Sequence, residues 1–285
     1  TAMTPADFDF MAQMLKRRSG LVLTPEKAYL IESRIAPLVR RHGLANFEAV
    51  VLKLREGDER VARDVTEAMT TNESFFFRDK TPFDHFEKLM LPKLLQSRAG
   101  QKRLRIWCAA ASTGQEPYSL AMLIKERWLQ LKEWKVEIFG TDLSSEVLER
   151  AKAGLYSQFE VQRGLPVQLL VKYFIKEGEQ FRLKDDIRSM VHYKVANLLD
   201  GYSGFGVFDV IFCRNVLIYF DAATKRGVLD RMAKLLPDDG YLLLGAAESV
   251  VGLSSSFAPH ESARGVSLKA GAMTAASPMS KAVGA

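Results

Sequence analysis

The chain of 285 residues is 47% apolar and carries a formal net charge of +6. This composition supports a folded core and excludes an intrinsically disordered chain, and no run of about eighteen apolar residues predicts a membrane span. The basic balance alone is compatible with a nucleic acid partner, with an acidic protein partner or with neither.

The first seventy residues predict helices only. Apolar residues recur at helical spacing in four stretches, at residues 8–15, 30–39, 47–54 and 61–69. Asp58 precedes the fourth stretch and is expected to cap its helix. We therefore expect an all-α N-terminal domain over residues 1–75.

The second of these helices carries a basic stripe, which we define as Lys27, Arg34 and Arg41. These residues recur every seven positions, so they are expected to share one helix face. Such a face is typical of a solvated surface, and it is equally suited to docking an acidic partner. The spacing leaves both interpretations open.

The segment TNESFFFRDKTPFDHF, residues 71–86, joins the helical region to the rest of the chain. Its three consecutive phenylalanines predict core packing. The polar residues around them, Asn72, Ser74 and Arg78, are typical of a pocket wall between two domains.

Strands and helices alternate from about residue 104. Apolar strand-like runs lie at residues 104–110, 136–142, 208–215 and 241–249. This alternation predicts an α/β domain over residues 76–270, with a mostly parallel sheet covered by helices on both faces. Residues 154–195 interrupt the pattern and are expected to form a small inserted subdomain. The Ala/Ser-rich tail, residues 271–285, is expected to be disordered.

Residues 106–123, IWCAAASTGQEPYSLAML, predict a strand, a small-residue turn and a helix, which is the usual cradle for a nucleotide-like cofactor. The turn has one glycine, Gly114, whereas a pyrophosphate site needs several, and it is followed by a carboxylate, Glu116. Asp142 ends the next strand, where a carboxylate can accept hydrogen bonds from a ribose diol. These features favour a cationic cofactor with a ribose and no phosphate, namely S-adenosylmethionine. Alternatively, both carboxylates are ordinary acids at helix N-termini.

Five segments resemble the CheR-type chemotaxis receptor methyltransferases. They are TNESFFFR, IWCAAASTGQEPYSLAM, the strand end at Asp142, FDVIFCRNVLIYF and PDDGYLLLGAAES, and the resemblance covers roughly residues 8 to 270. It implies an enzyme that uses S-adenosylmethionine to methylate glutamate side chains on the cytoplasmic helices of chemoreceptors, releasing S-adenosylhomocysteine. It also implies a cytoplasmic location and a Rossmann-like α/β methyltransferase domain with an inserted β-subdomain, preceded by an all-α domain.

The resemblance implies ten site residues. The expected cofactor contacts are Asn72, Ser74, Arg78, Glu116, Asp142, Asn197, Leu198, Arg214 and Asn215, with Asp142 on the ribose and the pair 197–198 near the adenine. We expect Arg78, Arg214 and Tyr219 to position the substrate carboxylate and the cofactor. Two alternatives remain open, a core role for Tyr219 and a purely structural ion pair for Arg214. No general base is expected, because a glutamate side chain is already ionised at neutral pH.

One stretch departs from the family pattern. Some members have a glycine-rich loop in the β-subdomain that binds a peptide at the receptor C-terminus by strand addition. Here the equivalent stretch IKEGEQFRLKDD is shorter and has only Gly178. We therefore expect no peptide tethering, and recognition of acidic receptor helices through the basic stripe.

Two rival functions remain open. One is a non-catalytic module that senses S-adenosylmethionine or binds receptors, and the other is a nucleic-acid methyltransferase. We expect no nucleic acid partner, because the basic residues are not interleaved with stacking aromatics. Direct membrane insertion is not expected either. The four histidines do not pair at metal-ligand spacing, so no metal is expected, and Cys108 and Cys213 are expected to be buried, reduced thiols.

Overall fold

The computed structural model describes residues 3–271. Within this range an N-terminal helical region precedes a seven-stranded sheet and a three-stranded sheet. The tail expected to be disordered, residues 271–285, lies outside the described residues except for its first residue.

The helices are α1 (Pro5–Ser19), α2 (Ala28–Arg41), α3 (Phe47–Arg55), α4 (Glu59–Ala68), α5 (Thr81–His85), α6 (Leu91–Ser97), α7 (Gln115–Glu126), α8 (Trp128–Leu131), α9 (Ser145–Ala153), α10 (Gln158–Gln162), α11 (Val167–Tyr173), α12 (Asp185–Arg188) and α13 (Ala222–Ala233). The strands are β1 (Arg103–Ala109), β2 (Lys135–Asp142), β3 (Leu155–Ser157), β4 (Phe174–Glu177), β5 (Gln180–Leu183), β6 (Val191–Val195), β7 (Val210–Cys213), β8 (Tyr241–Leu244), β9 (Phe257–Pro259) and β10 (Val266–Lys269). A π turn, Phe86–Met90, joins α5 to α6, and short 3-10 turns lie at Pro25–Lys27 and Leu217–Tyr219.

Three of the four N-terminal helices begin at capping side chains. Thr4, Asn46 and Asp58 each accept a hydrogen bond from the backbone N–H three residues later, at 3.1, 3.0 and 3.1 Å. The apolar faces meet in a core that fully buries Met11 and Ile35. Because helices this short are marginal in isolation, burial of these faces stabilises them. The predicted all-α region is confirmed, including the cap at Asp58.

The larger sheet has the strand order β6-β2-β1-β7-β8-β10-β9. Its first five strands are parallel, and β10 and β9 pair antiparallel at one edge. Side chains of β1 alternate between two cores, Ile106 and Cys108 packing with α7 on one face and Trp107 and Ala109 with α13 on the other. The predicted α/β fold, with a mostly parallel sheet and helices on both faces, is therefore confirmed.

Two edge strands and one boundary differ from the sequence expectation. The sequence pattern does not predict β9 and β10, which have only three and four residues. It assigns β6 to the insert, whereas β6 pairs with β2 in the larger sheet. The reason is that β6, VHYKV, buries only Val191 fully and so resembles the polar stretch before it.

The insert contains the three-stranded sheet, in the order β3-β5-β4, with antiparallel pairing throughout. Tyr156 and Phe174 from this sheet pack into the same core as α7, which fixes the insert against the main domain. A small inserted β-subdomain is thus confirmed. Because β6 lies in the larger sheet, we propose that the insert ends before Val191 rather than at about residue 195.

The three consecutive phenylalanines face different surroundings. Phe76 is fully buried and packs edge-on against Tyr156 and Phe174, with ring centroids 5.0 and 5.7 Å apart. Phe77 packs against the same core, whereas Phe75 lines a cavity. Core packing and pocket wall, the two interpretations of this segment, therefore both apply, to neighbouring residues.

The two cysteines lie on adjacent strands and are both buried and free, as expected. Burial raises the pKa of the Cys108 and Cys213 thiols well above the usual range. Neither thiol is therefore suited to act as a nucleophile at neutral pH.

Candidate functional site

A cavity lies at the carboxyl ends of β1, β2 and β7, beside the N-terminal helices. All ten residues singled out in the sequence line it, although they extend from Asn72 to Tyr219. This is the edge of a parallel sheet at which α/β proteins bind ligands. The fold thus brings the expected site residues together in one place.

The wall on the helical side of the cavity was not predicted. Ser19, Leu21 and Met69 contribute to it. Their residue types carry no chemical signal, and only the glycine at the end of α1 could have indicated a close approach. Gly20 has a φ of +78°, and a Cβ atom there would lie 2.9 Å from the ring of Phe220. Only glycine fits where α1 meets the sheet domain.

Contacts across the cavity link the helical region to the strand-end segment. The backbone N–H of Val22 donates a hydrogen bond to the carbonyl of Tyr219 at 2.9 Å. Lys16 forms an ion pair with Asp221 at 3.0 Å. The N-terminal helices therefore take part in placing the segment that carries Tyr219.

The turn after β1 has an unusual backbone. Ala110 and Ser112 have φ values of +60° and +51°, and each such non-glycine residue costs of order 1–3 kcal/mol. Gly114 has a φ of +95°, and a Cβ there would lie 2.8 Å from the hydroxyl of Tyr193. The one glycine is thus placed where both the backbone angle and the neighbouring ring exclude a side chain. Strain of this kind clusters at ligand-binding sites.

Asp142 closes this turn from the end of β2. Its side chain accepts hydrogen bonds from the backbone N–H groups of Ser112 and Ser144, at 2.9 and 3.0 Å. Burial raises the pKa of the Asp142 carboxyl, and these backbone donors oppose that rise. The backbone N–H of Leu143 also lowers this pKa. A carboxylate has about four lone-pair sites, so Asp142 keeps acceptor capacity for ligand hydroxyls.

Glu116, in the first turn of α7, belongs to a buried charge cluster. It accepts a hydrogen bond from Arg214 at 3.0 Å, and the other terminal nitrogen of Arg214 donates to Asp79 at 2.8 Å. Burial raises the pKa of Glu116, and the positive charge of Arg214 opposes that rise. The Arg214 side chain is only 1% exposed, and its Nε atom has no hydrogen-bond partner within residues 3–271. Asp79 was not singled out in the sequence.

Arg78 differs from Arg214 in its surroundings. Its guanidinium is half-buried, and one terminal nitrogen donates to the carbonyl of Glu73 at 2.8 Å. It forms no salt bridge with any residue that the structure describes. It lies in a turn in which Phe77, Asp79 and Lys80 all have positive φ values, of 52°, 66° and 49°. The structure thus exposes Arg78 to the cavity from a strained turn.

Asn72 and Ser74 line the cavity from the connecting segment. The backbone carbonyl of Asn72 accepts a hydrogen bond from the Ser112 hydroxyl at 3.2 Å, which ties this segment to the β1 turn. The amide of Asn72 donates to the hydroxyl of Thr70 at 3.0 Å. Ser74 is half-buried beside them.

Asn197 and Leu198 follow β6 and also line the cavity. The Asn197 amide donates to the carbonyl of Arg18, and its oxygen accepts from the backbone N–H of Leu199 at 3.0 Å. Leu198 is 8% exposed and presents an apolar surface to the cavity. The side chain of Asn197 is thus engaged in the contact with α1, and its neighbour provides the apolar surface.

Asn215 and Tyr219 come from the segment after β7. Asn215 has a φ of +60°, and Tyr219 ends the 3-10 turn Leu217–Tyr219. Both side chains are half-buried and line the cavity. This placement differs from that of a core tyrosine, the alternative considered for Tyr219.

The residues present fit S-adenosylmethionine. Asp142 has lone pairs for a ribose diol, and Leu198 gives an apolar wall for a base. The cavity lining has one more carboxylate than guanidinium groups, which suits a cationic ligand. These residues are Glu73, Glu116, Asp142, Arg78 and Arg214. The turn after β1 has one glycine, whereas a pyrophosphate site needs several glycines so that backbone N–H groups can approach the phosphates.

In the part of the chain that the structure describes, no group of three or more histidine, cysteine, aspartate or glutamate side chains could bind a metal ion. No helix there is long and apolar enough to cross a membrane.

Comparison with protein families gives two matches that follow one another along the chain. Residues 6–70 match the family model described as CheR methyltransferase, all-alpha domain. Residues 72–266 match the model described as CheR methyltransferase, SAM binding domain. The second match contains all ten site residues.

Curated proteins of similar sequence include three chemotaxis methyltransferases. Chemotaxis protein methyltransferase 1 of Pseudomonas aeruginosa is 42% identical over 257 residues, covering 88% of this chain and 93% of that protein. The chemotaxis protein methyltransferase of Vibrio parahaemolyticus is 39% identical over 263 residues, covering 90% and 94%. Chemotaxis protein methyltransferase 1 of Vibrio cholerae is 41% identical over 268 residues, covering 90% and 94%.

Proposed function

The chain belongs to the CheR methyltransferase family, and we propose that it methylates glutamate side chains on the cytoplasmic helices of chemoreceptors. It is an S-adenosylmethionine-dependent methyltransferase. The observation that carries the proposal is that both family models match in succession and that the curated relatives aligned over about nine-tenths of the chain are chemotaxis methyltransferases. Because the acceptor helices lie in the cytoplasm, we place the enzyme there.

Two carboxylates of the cavity would hold the cofactor. We assign the ribose hydroxyls to Asp142, because its carboxylate lines the cavity and keeps acceptor capacity after binding the backbone. We assign Glu116 to the positive charge of the cofactor, because burial disfavours its ionised form and a nearby cation would add to the stabilisation that Arg214 gives. The turn at residues 110–114 supplies the close backbone approach between them.

The acceptor needs no activation by a protein base. A glutamate carboxylate is ionised at neutral pH, since its ordinary pKa is about 4.3. When bound, S-adenosylmethionine supplies a methyl group on a sulfonium, so that a C–O bond forms, the C–S bond breaks, and its electron pair leaves with the sulfur. No proton moves. The protein contributes orientation and exclusion of water, and orientation alone can contribute roughly 7–11 kcal/mol.

We assign the substrate carboxylate to Arg78 and give Arg214 a positioning role. Both terminal nitrogens of Arg214 already bind Glu116 and Asp79, whereas Arg78 has donors that no described salt bridge uses. A guanidinium can bind a carboxylate through two parallel hydrogen bonds. Tyr219 would then orient the same carboxylate from the opposite side of the cavity. This division of roles narrows the sequence hypothesis, which gave both arginines the same task.

A partition experiment tests the proposed function. The enzyme is incubated with methyl-labelled S-adenosylmethionine and equal masses of a chemoreceptor cytoplasmic fragment, RNA and DNA. We expect label only on the receptor fragment. Mild alkali should release this label as methanol, because methyl esters of carboxylates hydrolyse in alkali. Label on nucleic acid would favour the nucleic-acid methyltransferase. Receptor binding without any transferred label would favour the non-catalytic module.

The basic stripe gives a surface for docking the receptor. Arg34 and Arg41 lie on α2, whereas Lys27 ends the 3-10 turn that precedes it, so the expected placement of Lys27 on this helix is wrong. Lys27 and Arg41 are exposed, and neither forms a salt bridge with a residue that the structure describes. Arg34 instead donates to the carbonyls of Met69 and Thr70, at 2.9 and 3.3 Å. Because Met69 and Thr70 also line the cavity, the face that carries the stripe lies beside it. We propose that Lys27 and Arg41 contact acidic groups of the receptor, and that Arg34 fixes the connecting segment.

Charge reversal at these two positions tests the docking surface. The double variant Lys27→Glu, Arg41→Glu is expected to raise KM for the receptor fragment by about tenfold, because it replaces two attractions by repulsions. Affinity for S-adenosylmethionine and kcat are expected to stay unchanged. The rise should shrink at high salt, which screens exposed charges.

The matched control is Lys93→Glu, Lys132→Glu, which reverses two exposed lysines outside the N-terminal helices. An equal rise of KM in both double variants would mean that the change in net charge, and not the position of the stripe, causes the effect. An unchanged KM in the stripe variant would exclude the stripe from docking.

The β-subdomain offers little for peptide tethering. Strands β4 and β5 are joined by two residues, Gly178 and Glu179, so the hairpin has no extended loop. We propose that this enzyme recognises receptors without a tethered peptide. Removal of the receptor's C-terminal segment is therefore expected to leave kcat/KM unchanged when full-length and truncated receptors are compared. A marked loss on truncation would contradict this proposal.

A further inference from the structure

The glutamate that follows β8 binds an unusual number of backbone donors. The Glu248 carboxylate accepts hydrogen bonds from the N–H groups of Asn215 and Gly245, at 2.6 and 2.8 Å, through one oxygen. Its other oxygen accepts from Val216 and Ile218, both at 3.2 Å. One side chain therefore satisfies four backbone donors, three of them from the segment that follows β7.

That segment depends on Glu248 for its shape. Asn215 has a positive φ, and the N–H groups of residues 215, 216 and 218 precede or begin a 3-10 turn, where backbone donors lack partners within the turn. Hydrogen bonds to a charged acceptor are about twice as strong as neutral ones. The segment is fixed at its far end by the bond from Val22 to Tyr219. Glu248 fixes the near end.

The approach of Glu248 requires a glycine beside it. Gly245 is buried, and a Cβ atom there would lie 2.6 Å from the Oδ1 atom of Asn215 and 2.7 Å from the Oε1 atom of Glu248. The sequence LGAAES thus contains both the glycine that makes room and the carboxylate that enters. Neither residue lines the cofactor cavity, whereas Asn215, Val216 and Tyr219 do.

We propose that Glu248 is a positioning residue for methyl transfer. It acts through the backbone of residues 215–218 and so sets the places of Asn215 and Tyr219 in the cavity. This inference rests on the proposed function, because it assigns Tyr219 to the reacting carboxylate. A residue that only caps the segment would stabilise the fold, and its loss would not lower kcat selectively. Loss of a positioning residue lowers kcat more than it lowers affinity for the cofactor.

Three variants test the proposal. Glu248→Gln keeps the shape but turns an NH₂ group toward backbone donors, Glu248→Asp keeps the charge on a shorter side chain, and Glu261→Gln is the control at an exposed glutamate. Each is assayed for kcat, KM for S-adenosylmethionine and amide hydrogen exchange in peptides covering residues 214–220.

For Glu248→Gln we expect kcat to fall by about 10- to 100-fold, since small misplacements near a reacting centre cost that much. KM for S-adenosylmethionine should change less than kcat, because Asp142 and Glu116 are not altered and only the expected cofactor contact of Asn215 is displaced. Exchange of the amides at 215, 216 and 218 should accelerate, while that of β8 should not. Glu248→Asp should recover part of kcat, and Glu261→Gln should match the wild type.

Two results would overturn the role of Glu248. One is accelerated exchange with an unchanged kcat, which would make it a structural cap only. The other is unchanged exchange, which would mean that it does not hold the segment. If Glu248→Gln does not fold, the same comparison is made with Glu248→Asp. If the wild type fails to methylate the receptor fragment, the proposed function is contradicted. If the wild type is active and the Glu248 variants match it, only the role of Glu248 is contradicted.

Discussion

The Asp142→Ala variant is expected to lose at least about 100-fold in affinity for S-adenosylmethionine. A hydrogen bond to a charged group contributes roughly 1.5–3 kcal/mol, and two ribose hydroxyls would lose such bonds together, where each 1.4 kcal/mol is a factor of ten. The variant also leaves the N–H groups of Ser112 and Ser144 without their acceptor. The turn that carries the positive φ values at Ala110 and Ser112 would then lose its closing contact.

Isothermal titration with S-adenosylmethionine and S-adenosylhomocysteine measures this loss. Both ligands should weaken equally in Asp142→Ala, because both carry the ribose. Asp142→Asn should lose less, because its amide oxygen still accepts one of the two backbone bonds. Asp9→Ala removes an exposed carboxylate on α1 and should bind as the wild type does. Tight binding by Asp142→Ala would contradict the assignment of the ribose to this residue.

The Arg78→Ala variant is expected to lower kcat by about 10²- to 10³-fold, the usual loss when one preorganised donor to the reacting group is removed. Its affinity for S-adenosylmethionine should change much less, because Asp142 and Glu116 remain. Arg78→Lys should not restore kcat, since an ammonium cannot form the two parallel bonds of a guanidinium. Single-turnover methyl transfer to a receptor fragment measures the chemical step directly.

Arg214 and Tyr219 serve as comparisons for Arg78. Arg214→Ala leaves Glu116 and Asp79 without their buried partner, and breaking a buried pair typically costs about 3–5 kcal/mol of stability, so it should lower the melting temperature as well as kcat. Tyr219→Phe removes only a hydroxyl and should lower kcat without affecting stability. If Arg78→Ala, Arg214→Ala and Tyr219→Phe all turn over like the wild type, the assigned roles are wrong.

The parts of the site with a chemical signal could be predicted from the sequence. Asp142 and Glu116 follow apolar strands, and parallel strands end at one edge, so their proximity follows from the alternation of strands and helices. The same rule brings Arg214 and Asn215 to that edge. The alternation of strands and helices does not show which side chains form ion pairs with one another. Asp79 accepts a hydrogen bond from Arg214, as Glu116 does, but nothing in the sequence distinguishes it from other acidic loop residues.

Other features depend on contacts between distant segments. The wall formed by Ser19, Leu21 and Met69 exists only because α1 docks on the segment after β7. The positive φ values at Phe77 and Lys80 are invisible in sequence, because these residue types rarely adopt them. The strands β9 and β10 lack the continuous apolar runs that predict β7 and β8, because FAP and VSLK include proline, serine and lysine.

We propose that methyl transfer from S-adenosylmethionine to glutamate carboxylates of a chemoreceptor takes place in this cavity. Tandem mass spectrometry of a receptor cytoplasmic fragment, after reaction with the wild-type enzyme and S-adenosylmethionine, tests it most directly. We predict methyl esters on glutamate side chains of the receptor helices, in amounts equal to the S-adenosylhomocysteine formed. With Asp142→Ala they should be strongly reduced at low concentrations of S-adenosylmethionine. Methyl groups on nitrogen atoms or on nucleic acid, or S-adenosylhomocysteine formed without any glutamate ester, would contradict it.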